Sequence, residues 1–302
     1  MVYQLKDHQF EIVRGSGYQT GYRFGLGLPI AVLADGFHPG ESSWATQDAT
    51  NSRRGNTVFG RDTRGGSPWT FDWFTNGEDP ETSFVEIEAL GLSWGIPSVY
   101  ERALAMQRLR YRVAGRDRCI FGRPRKFSAT PNNEITYGVT RGSMEFVPVD
   151  GNTYSDLEHS VSVGFTSDAV GGGWVFPVVF PLETVASTGF GKGSVYNAGN
   201  VRTFPTIRFV GPWTDPSISC SAWTLKLSGS IPASEWVEIN TAPWSMTILN
   251  QDRASRMSML DSRIWLEDCY VMPATTDFRL GGISANSSAS CEIRWRDAWT
   301  TI

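Results

Sequence analysis

The sequence predicts a mostly β protein of two domains, with one or two helices in the first and a β-sandwich or jelly roll in the second. Three observations carry this. Of 302 residues, 31 are Gly and 16 are Pro, so turns are frequent. Aromatic residues make up 13% and include 12 Trp, whereas charged residues make up 19%, a balance that favours strands. Short runs of alternating apolar and polar residues recur along the chain between Gly and Pro. A usual domain size of roughly 150 residues gives about two domains for this length. The composition excludes a disordered chain, which would be poorer in aromatics and richer in charge. It also excludes a coiled coil, which does not tolerate this much Gly. No apolar run approaches the roughly 18 residues that cross a bilayer. Met1–Ile12 carries charges and no long apolar core, so no secretory signal is expected there.

Residues 1–60 are dense in glycine, with Gly15, Gly17, Gly21, Gly25 and Gly27 among Tyr18, Tyr22 and Phe24. Asp35-Gly36 and Pro39-Gly40 are turn pairs. Residues 40–56 are polar and read as a long exposed loop, of a kind suited to contact with a neighbouring chain. Trp69, Phe71 and Trp73 then alternate with Thr70 and Asp72, a half-buried strand. One helix follows. Asp79 can cap it, Pro80 suits its first position, and Glu81 complements the positive end of its dipole. Phe84, Ile87 and Gly91 share its expected inner face, with Val85, Ala89 and Leu92 close by. Gly91 or Gly95 ends it. A second short helix is expected over Pro97–Ala105.

The basic residues are concentrated next. Arg108, Arg110, Arg112, Arg116, Arg118, Arg123, Arg125 and Lys126 follow one another with Asp117 alone against them. Leu109, Tyr111 and Val113 alternate with three of these arginines and Gly115 turns the chain, so the segment reads as a β-hairpin with one apolar and one arginine face. Strands are expected through Ile135, Tyr137 and Val139, through Met144, Phe146 and Pro148, and at Val161 and Val163. Gly171-Gly172-Gly173 is the best domain boundary, dividing 1–170 from 171–302. Beyond it, strands at Ile207 and Phe209, Trp223 to Leu227, Val237 and Ile239, and Ile293 and Trp295 have the short regular spacing of a sandwich.

Little points to chemistry. Cys119, Cys220, Cys269 and Cys291 form no CxxC pair, so free thiols are expected, with a Cys269–Cys291 bridge as the alternative. His8, His38 and His159 stand apart from each other and from the cysteines, so no metal site, cofactor or catalytic residue is expected. Nucleotide-loop and hydrolase motifs are missing. Glu235 and Glu238 are the nearest-placed carboxylates for a sandwich glycosidase, with surface charge as the plainer reading. The sequon Asn286-Ser287-Ser288 has no consequence in a chain that is not secreted.

One ordered set of motifs resembles a known family. Trp174-Val-Phe-Pro-Val-Val-Phe-Pro-Leu182 precedes Ala198-Gly-Asn200 and Phe204-Pro-Thr-Ile-Arg-Phe-Val-Gly-Pro-Trp-Thr-Asp-Pro216. This order resembles the C-terminal domain of distal tail proteins of long-tailed, non-contractile bacteriophages. Asp215 stands where Asn is commoner. Leu109–Arg116, Phe121–Lys126 and Gly60-Arg-Asp62 resemble the versions from phages of actinobacteria. The likeness covers about two thirds of the chain and leaves residues 14–56 unmatched.

The resemblance implies an N-terminal ring-forming β-sandwich or split-barrel domain and a C-terminal galectin-like β-sandwich that projects outward. It further implies a homo-hexamer ring at the tail tip of a virion. The ring joins the tail tube protein to the tip hub and receptor-binding proteins, and DNA passes through it without specific binding. No membrane insertion and no enzymatic activity are implied. The arginine face then reads as a subunit interface, with a DNA-lined channel wall or a solvated face as alternatives. Arg110→Glu is accordingly expected to impair assembly rather than folding. A galectin-like fold also admits a carbohydrate-binding adhesion module. Trp213 and Trp244, in expected loops, are its sugar-contact candidates, and Trp223 is expected in the core.

Overall fold

The computed structural model describes residues 4–13, 21–40, 43–50, 55–60, 62–77, 79–130, 132–164, 187–188, 191–261, 263–284 and 289–301. Gly15, Gly17, Tyr18, the Gly171–Gly173 run, Trp174–Leu182 and the Asn286 sequon lie outside the described residues. The chain forms two compact units, Met1–Leu157 with Trp299–Ile302, and Glu158–Ala298. The division falls before the glycine run because the strand with Val161 and Val163 pairs with a C-terminal strand of the second unit.

The first unit is built on one curled antiparallel sheet, with two short two-stranded ribbons and two helices. Its strands are β1 (Gln9–Val13), β2 (Tyr22–Gly25), β3 (Ile30–His38), β4 (Ser43–Ala45), β5 (Ala49–Thr50), β6 (Thr57–Val58), β7 (Thr63–Gly65) and β8 (Trp69–Thr75). After the helices α1 (Pro80–Trp94) and α2 (Pro97–Tyr100) come β9 (Gln107–Val113), β10 (Arg116–Thr130), β11 (Arg141–Pro148) and β12 (Thr153–Ser155). The main order is β2-β1-β9-β10-β11-β8-β3. Phe10 on β1 and Phe71 on β8 are not on neighbouring strands, yet their ring centroids lie 5.1 Å apart. The sheet therefore curls until distant strands share one core. Phe24, Trp73, Leu109, Ile120 and Phe146 complete that core, and Trp94 of α1 packs into it.

Four expectations change in this unit. Residues 40–56 are not simply a loop. Within the described residues, β4 pairs with β7 and β5 with β6, two short antiparallel ribbons that together are called the arm. Ile135 and Tyr137 lie in a 3-10 turn, Asn133–Tyr137, because Asn132 caps it and Gly138, at φ 74°, ends it. The second helix stops at Tyr100. Finally, α1 is capped by Asp79 as expected but is rotated. Its buried side chains are Ser83, Ile87, Leu90, Ser93 and Trp94, whereas Phe84, Val85 and Leu92 are exposed. Ser83 Oγ donates to the Gly138 carbonyl, and Trp94 Nε1 donates to the Lys126 carbonyl at 3.1 Å.

The second unit contains β13 (His159–Gly164), β14 (Ser187–Thr188), β15 (Lys192–Asn197), β16 (Thr206–Val210), β17 (Trp213–Ser219), β18 (Thr224–Lys226) and β19 (Ser230–Ile231). β20 (Trp236–Asn240), β21 (Thr247–Asn250), β22 (Ala274–Ser284) and β23 (Ser290–Trp295) follow, and the short β24 (Ala298–Trp299) pairs instead with β12. One sheet runs β13-β23-β16-β20-β21, and the other is β14-β22-β17-β18 with β15 and β19 alongside. Inward residues of both sheets fill one core. Ile207, Phe209, Val237, Ile239 and Ile293 meet Trp213, Ile218, Leu225, Phe278 and Leu280. This is a β-sandwich, reached through the period-2 patterns that the sequence displays. All four cysteines are free thiols.

Candidate functional site

The arginine hairpin is built on a two-residue turn. Val113 pairs with Arg116, and Ala114 and Gly115 both take positive φ, 51° and 73°, the backbone that matches strand twist. Alternation places Arg108, Arg110 and Arg112 opposite Leu109 and Tyr111, as the sequence predicts. However, the structure covers much of that second face. Arg110 is 4% exposed. Its Nε and Nη2 donate to the two carboxylate oxygens of Asp156 at 2.8 and 2.7 Å, and its Nη1 pairs with Glu11 on the adjoining strand β1. Burial pushes the guanidinium pKa down, but Asp156 and Glu11 outweigh it and leave it above the ordinary arginine value.

Arg118 is equally buried. Its Nη1 donates to Thr153 Oγ1 at 3.0 Å and to the Thr301 carbonyl at 2.6 Å. Burial holds its pKa below the usual arginine value. Arg108 lies 4.0 Å from Asp156, and Arg112 pairs with Asp117 at 2.7 Å. Arg123 donates to the carbonyls of Ala105 and Arg102, tying down the chain after α2.

Arg116, Arg125 and Lys126 are exposed. Arg116 sits at the hairpin turn. Arg125 and Lys126 occupy a bulge in β10, where pairing with β11 shifts between Pro124 and Phe127. A bulge breaks strict alternation and re-aims side chains, so both neighbours face solvent. Sequence reading marks all eight residues alike because alternation says which side a residue is on, not what covers that side.

The arm belongs to the first unit. At its root, a polar cavity of about 80 Å³ is lined by Arg64, Asp150, Thr153 and Thr301 among others. Burial pushes the Asp150 pKa up against the opposing hydrogen bond from the Tyr154 hydroxyl at 2.6 Å. Nothing in the sequence marks this cavity beyond the Asp150-Gly151 turn.

The sugar-contact candidates separate. Trp213 is 1% exposed and begins β17, with Nε1 donating to the Ser290 carbonyl at 3.3 Å. It is a core residue, because its ring packs edge-on against Phe209 inside the sandwich. Trp244 is half-buried and meets Phe204 edge-on at 5.9 Å. Trp223 is buried, as expected. Trp236 lies under the Arg208 guanidinium, 4.5 Å from its ring centroid. Glu238 is ion-paired with Arg208 at 2.6 Å and also with Arg294, while Glu235 precedes the strand. Among the described residues, no group of three His, Cys, Asp or Glu side chains is placed to hold a metal. No described helix is long and apolar enough to cross a membrane.

No protein-family model matches the sequence, and no curated protein matches it. Solved structures match by fold. The Dit protein of phage SPP1, described as a paradigm of the hub adsorption apparatus in phages infecting Gram-positive bacteria, has a TM-score of 0.51 at 15% identity. The match covers 87% of this chain and 94% of that one. A chain of the phage P2 baseplate in its activated conformation with Ca has a TM-score of 0.54 at 10% identity, covering 95% of this chain and 97% of that one. A chain of the phage p2 baseplate in its activated conformation with Sr gives 0.53 at 10% identity, covering 95% of this chain and 97% of that one. The chain therefore has the fold of phage tail hub and baseplate proteins.

Proposed function

We propose that this chain is a structural component of a bacteriophage tail tip, a distal tail protein that works by assembly. The observation that carries the reading is the extent of the fold match. Both units, in one chain, correspond to hub and baseplate chains over 94–97% of those chains' length. The motif order from Ala198 to Pro216 supports the same reading. Here the first unit forms a homo-hexamer ring. The ring joins the tail tube to the tip hub and to receptor-binding proteins, and its channel passes DNA without specific binding. The second unit supplies a galectin-like sandwich, and the chain performs no catalysis. Its place is the virion of a long-tailed, non-contractile phage.

The interface candidates then narrow to Arg116, Arg125 and Lys126, whose charges face solvent and can fork to carboxylates on neighbours. The adhesion-module alternative is left with Trp244 alone, since Trp213 is consumed by the core. Electron microscopy of the purified chain and of tails carrying it tests the proposal. A ring of fixed subunit number at the distal end of the tube is expected. A strictly monomeric chain, absent from tails, overturns it, and saturable glycan binding by that monomer would favour the alternative.

A further inference from the structure

Much of the basic hairpin segment is held within the chain, as Arg108, Arg110, Arg112, Arg118 and Arg123 are. Arg125 and Lys126 differ. They are consecutive and exposed at the β10 bulge. Among the described residues neither has an ion pair.

A matching surface lies on α1. Pro80–Trp94 carries Glu81, Glu86 and Glu88 and no basic residue. Glu86 accepts from the Tyr22 hydroxyl at 2.5 Å. Glu81 and Glu88 are exposed, again with no ion pair among the described residues. Val85 and Leu92 alternate with them and are 59% and 71% exposed. The outward side of the helix thus reads Glu81, Val85, Glu88, Leu92, a spacing that sets all four in one stripe. A Glu on a helix that faces water gains from a Lys or Arg four residues on. Here Val85 and Leu92 hold those places.

A stripe of alternating acid and apolar groups fits a side chain with an apolar stem and a cationic tip. Lys and Arg have that form, and lay the stem on apolar surface while the head keeps a polar setting. The first unit carries such a pair in Arg125 and Lys126. The pair is badly placed for its own helix. Trp94 Nε1 donates to the Lys126 carbonyl at 3.1 Å, so the bulge backs onto the buried side of the last helical turn. Glu81 starts the helix, about 20 Å away along the axis.

We infer that the Arg125-Lys126 bulge of one copy docks on the outward stripe of α1 of a second copy. The cationic heads meet Glu81 and Glu88, which stand about 10 Å apart along the axis, and the stems cover Val85 and Leu92. An exposed ion pair alone contributes little, and the apolar groups covered beneath it add to the contact. The two surfaces differ and complement each other, so the contact is head-to-tail. It repeats from copy to copy and closes into a ring where the rotation permits. The inference rests on the ring reading above and adds the surfaces that join its subunits.

The test reverses charge on each surface and reads assembly by mass photometry of the full chain and by electron microscopy of tails made with it. Arg125→Glu with Lys126→Glu, and separately Glu81→Lys with Glu88→Lys, should keep their circular dichroism, because all four positions are exposed. In each, the assembled fraction should fall by about tenfold or more, since like charges then face each other. Mixing or co-expressing the two variants should restore assembly, with the two chains alternating. A chain carrying all four substitutions should assemble alone. Variants that assemble as wild type does overturn the contact and leave the ring reading standing. Loss on each side without recovery in the mixture or the four-substitution chain also overturns it, because a different partner then covers these surfaces. Wild type that is monomeric at every concentration and absent from tails overturns both readings.

Discussion

The Arg118 guanidinium lies over Trp299, 4.0 Å from the centre of the indole ring. The arginine belongs to the hairpin and the tryptophan to the last residues of the chain. A cation over an aromatic face, partly removed from water, is a favourable contact of about 0.5–2 kcal/mol. The neighbouring bond to the Thr301 carbonyl fixes the same segment. The C-terminal residues of the first unit therefore cover one end of a face that strand alternation alone would leave in solvent.

Arg110 accordingly acts in folding. Arg110→Ala leaves Glu11, itself 5% exposed, without its buried partner, a change of about 3–5 kcal/mol. Arg110→Glu, which would set a third carboxylate beside Glu11 and Asp156, should destabilise the first unit further. Urea unfolding followed by fluorescence checks both. Arg125→Glu and Lys126→Glu, at exposed positions, should change stability by less than about 0.5 kcal/mol. A stable, well-folded Arg110→Glu chain would contradict this assignment.

The hairpin turn offers a stabilising change. Ala114 holds φ at 51°, where a β-carbon is strained. Ala114→Asn should raise stability by about 1 kcal/mol. Gly115→Ala should lower it by a similar amount for backbone reasons alone, since nothing lies within 4 Å of the added carbon. Thermal midpoints of the two variants should move in opposite directions.

Thiol labelling should be selective. Cys119, Cys269 and Cys291 are buried and Cys220 is half-buried. Burial pushes the Cys269 thiol up to about 12 and raises Cys291 as well, so neither offers a thiolate near neutral pH. Mass spectrometry after native labelling should find Cys220 modified first, and all four cysteines modified after denaturation.

Asp150 sets a pH dependence. Burial raises its pKa in the folded protein, so the folded state holds this proton more tightly than the unfolded chain, whose carboxylate titrates near about 3.9. Its contribution to stability is full below that value. It declines as pH rises through the raised folded pKa and is level above. Asp150→Asn should flatten that part of the profile of urea midpoint against pH. An unchanged profile would show that Asp150 does not titrate differently on folding.

Strand positions were the most legible feature. Trp69, Phe71 and Trp73 are buried on β8 while Thr70, Asp72 and Phe74 are half-buried. Val237 and Ile239 on β20, and Ile293 on β23, likewise keep their expected inward side. The helix was legible in its cap and its end, because Asp79, Pro80 and Gly95 act locally. Its rotation was not, since Ser83 and Trp94 are fixed by the Gly138 and Lys126 carbonyls, which arrive from distant sequence. Trp213 was misplaced for the same reason. Gly211, Pro212 and Pro216 around it signal a loop, but Phe209 and Ser290 enclose its ring.

By itself the sequence determined what is local. Period-2 alternation set the strands, turn residues set the hairpin at Ala114-Gly115, and the ordered motifs near Ala198–Pro216 set the family likeness. Tertiary structure alone decided which polar face is covered. It turned Arg110 and Arg118 inward, because Glu11, Asp156 and the carbonyls near the C-terminus meet them there. It left Arg116, Arg125, Lys126, the arm and one side of α1 exposed. Burial depends on what packs over a residue, and those contacts are long-range, so a pattern of neighbours in sequence cannot specify them.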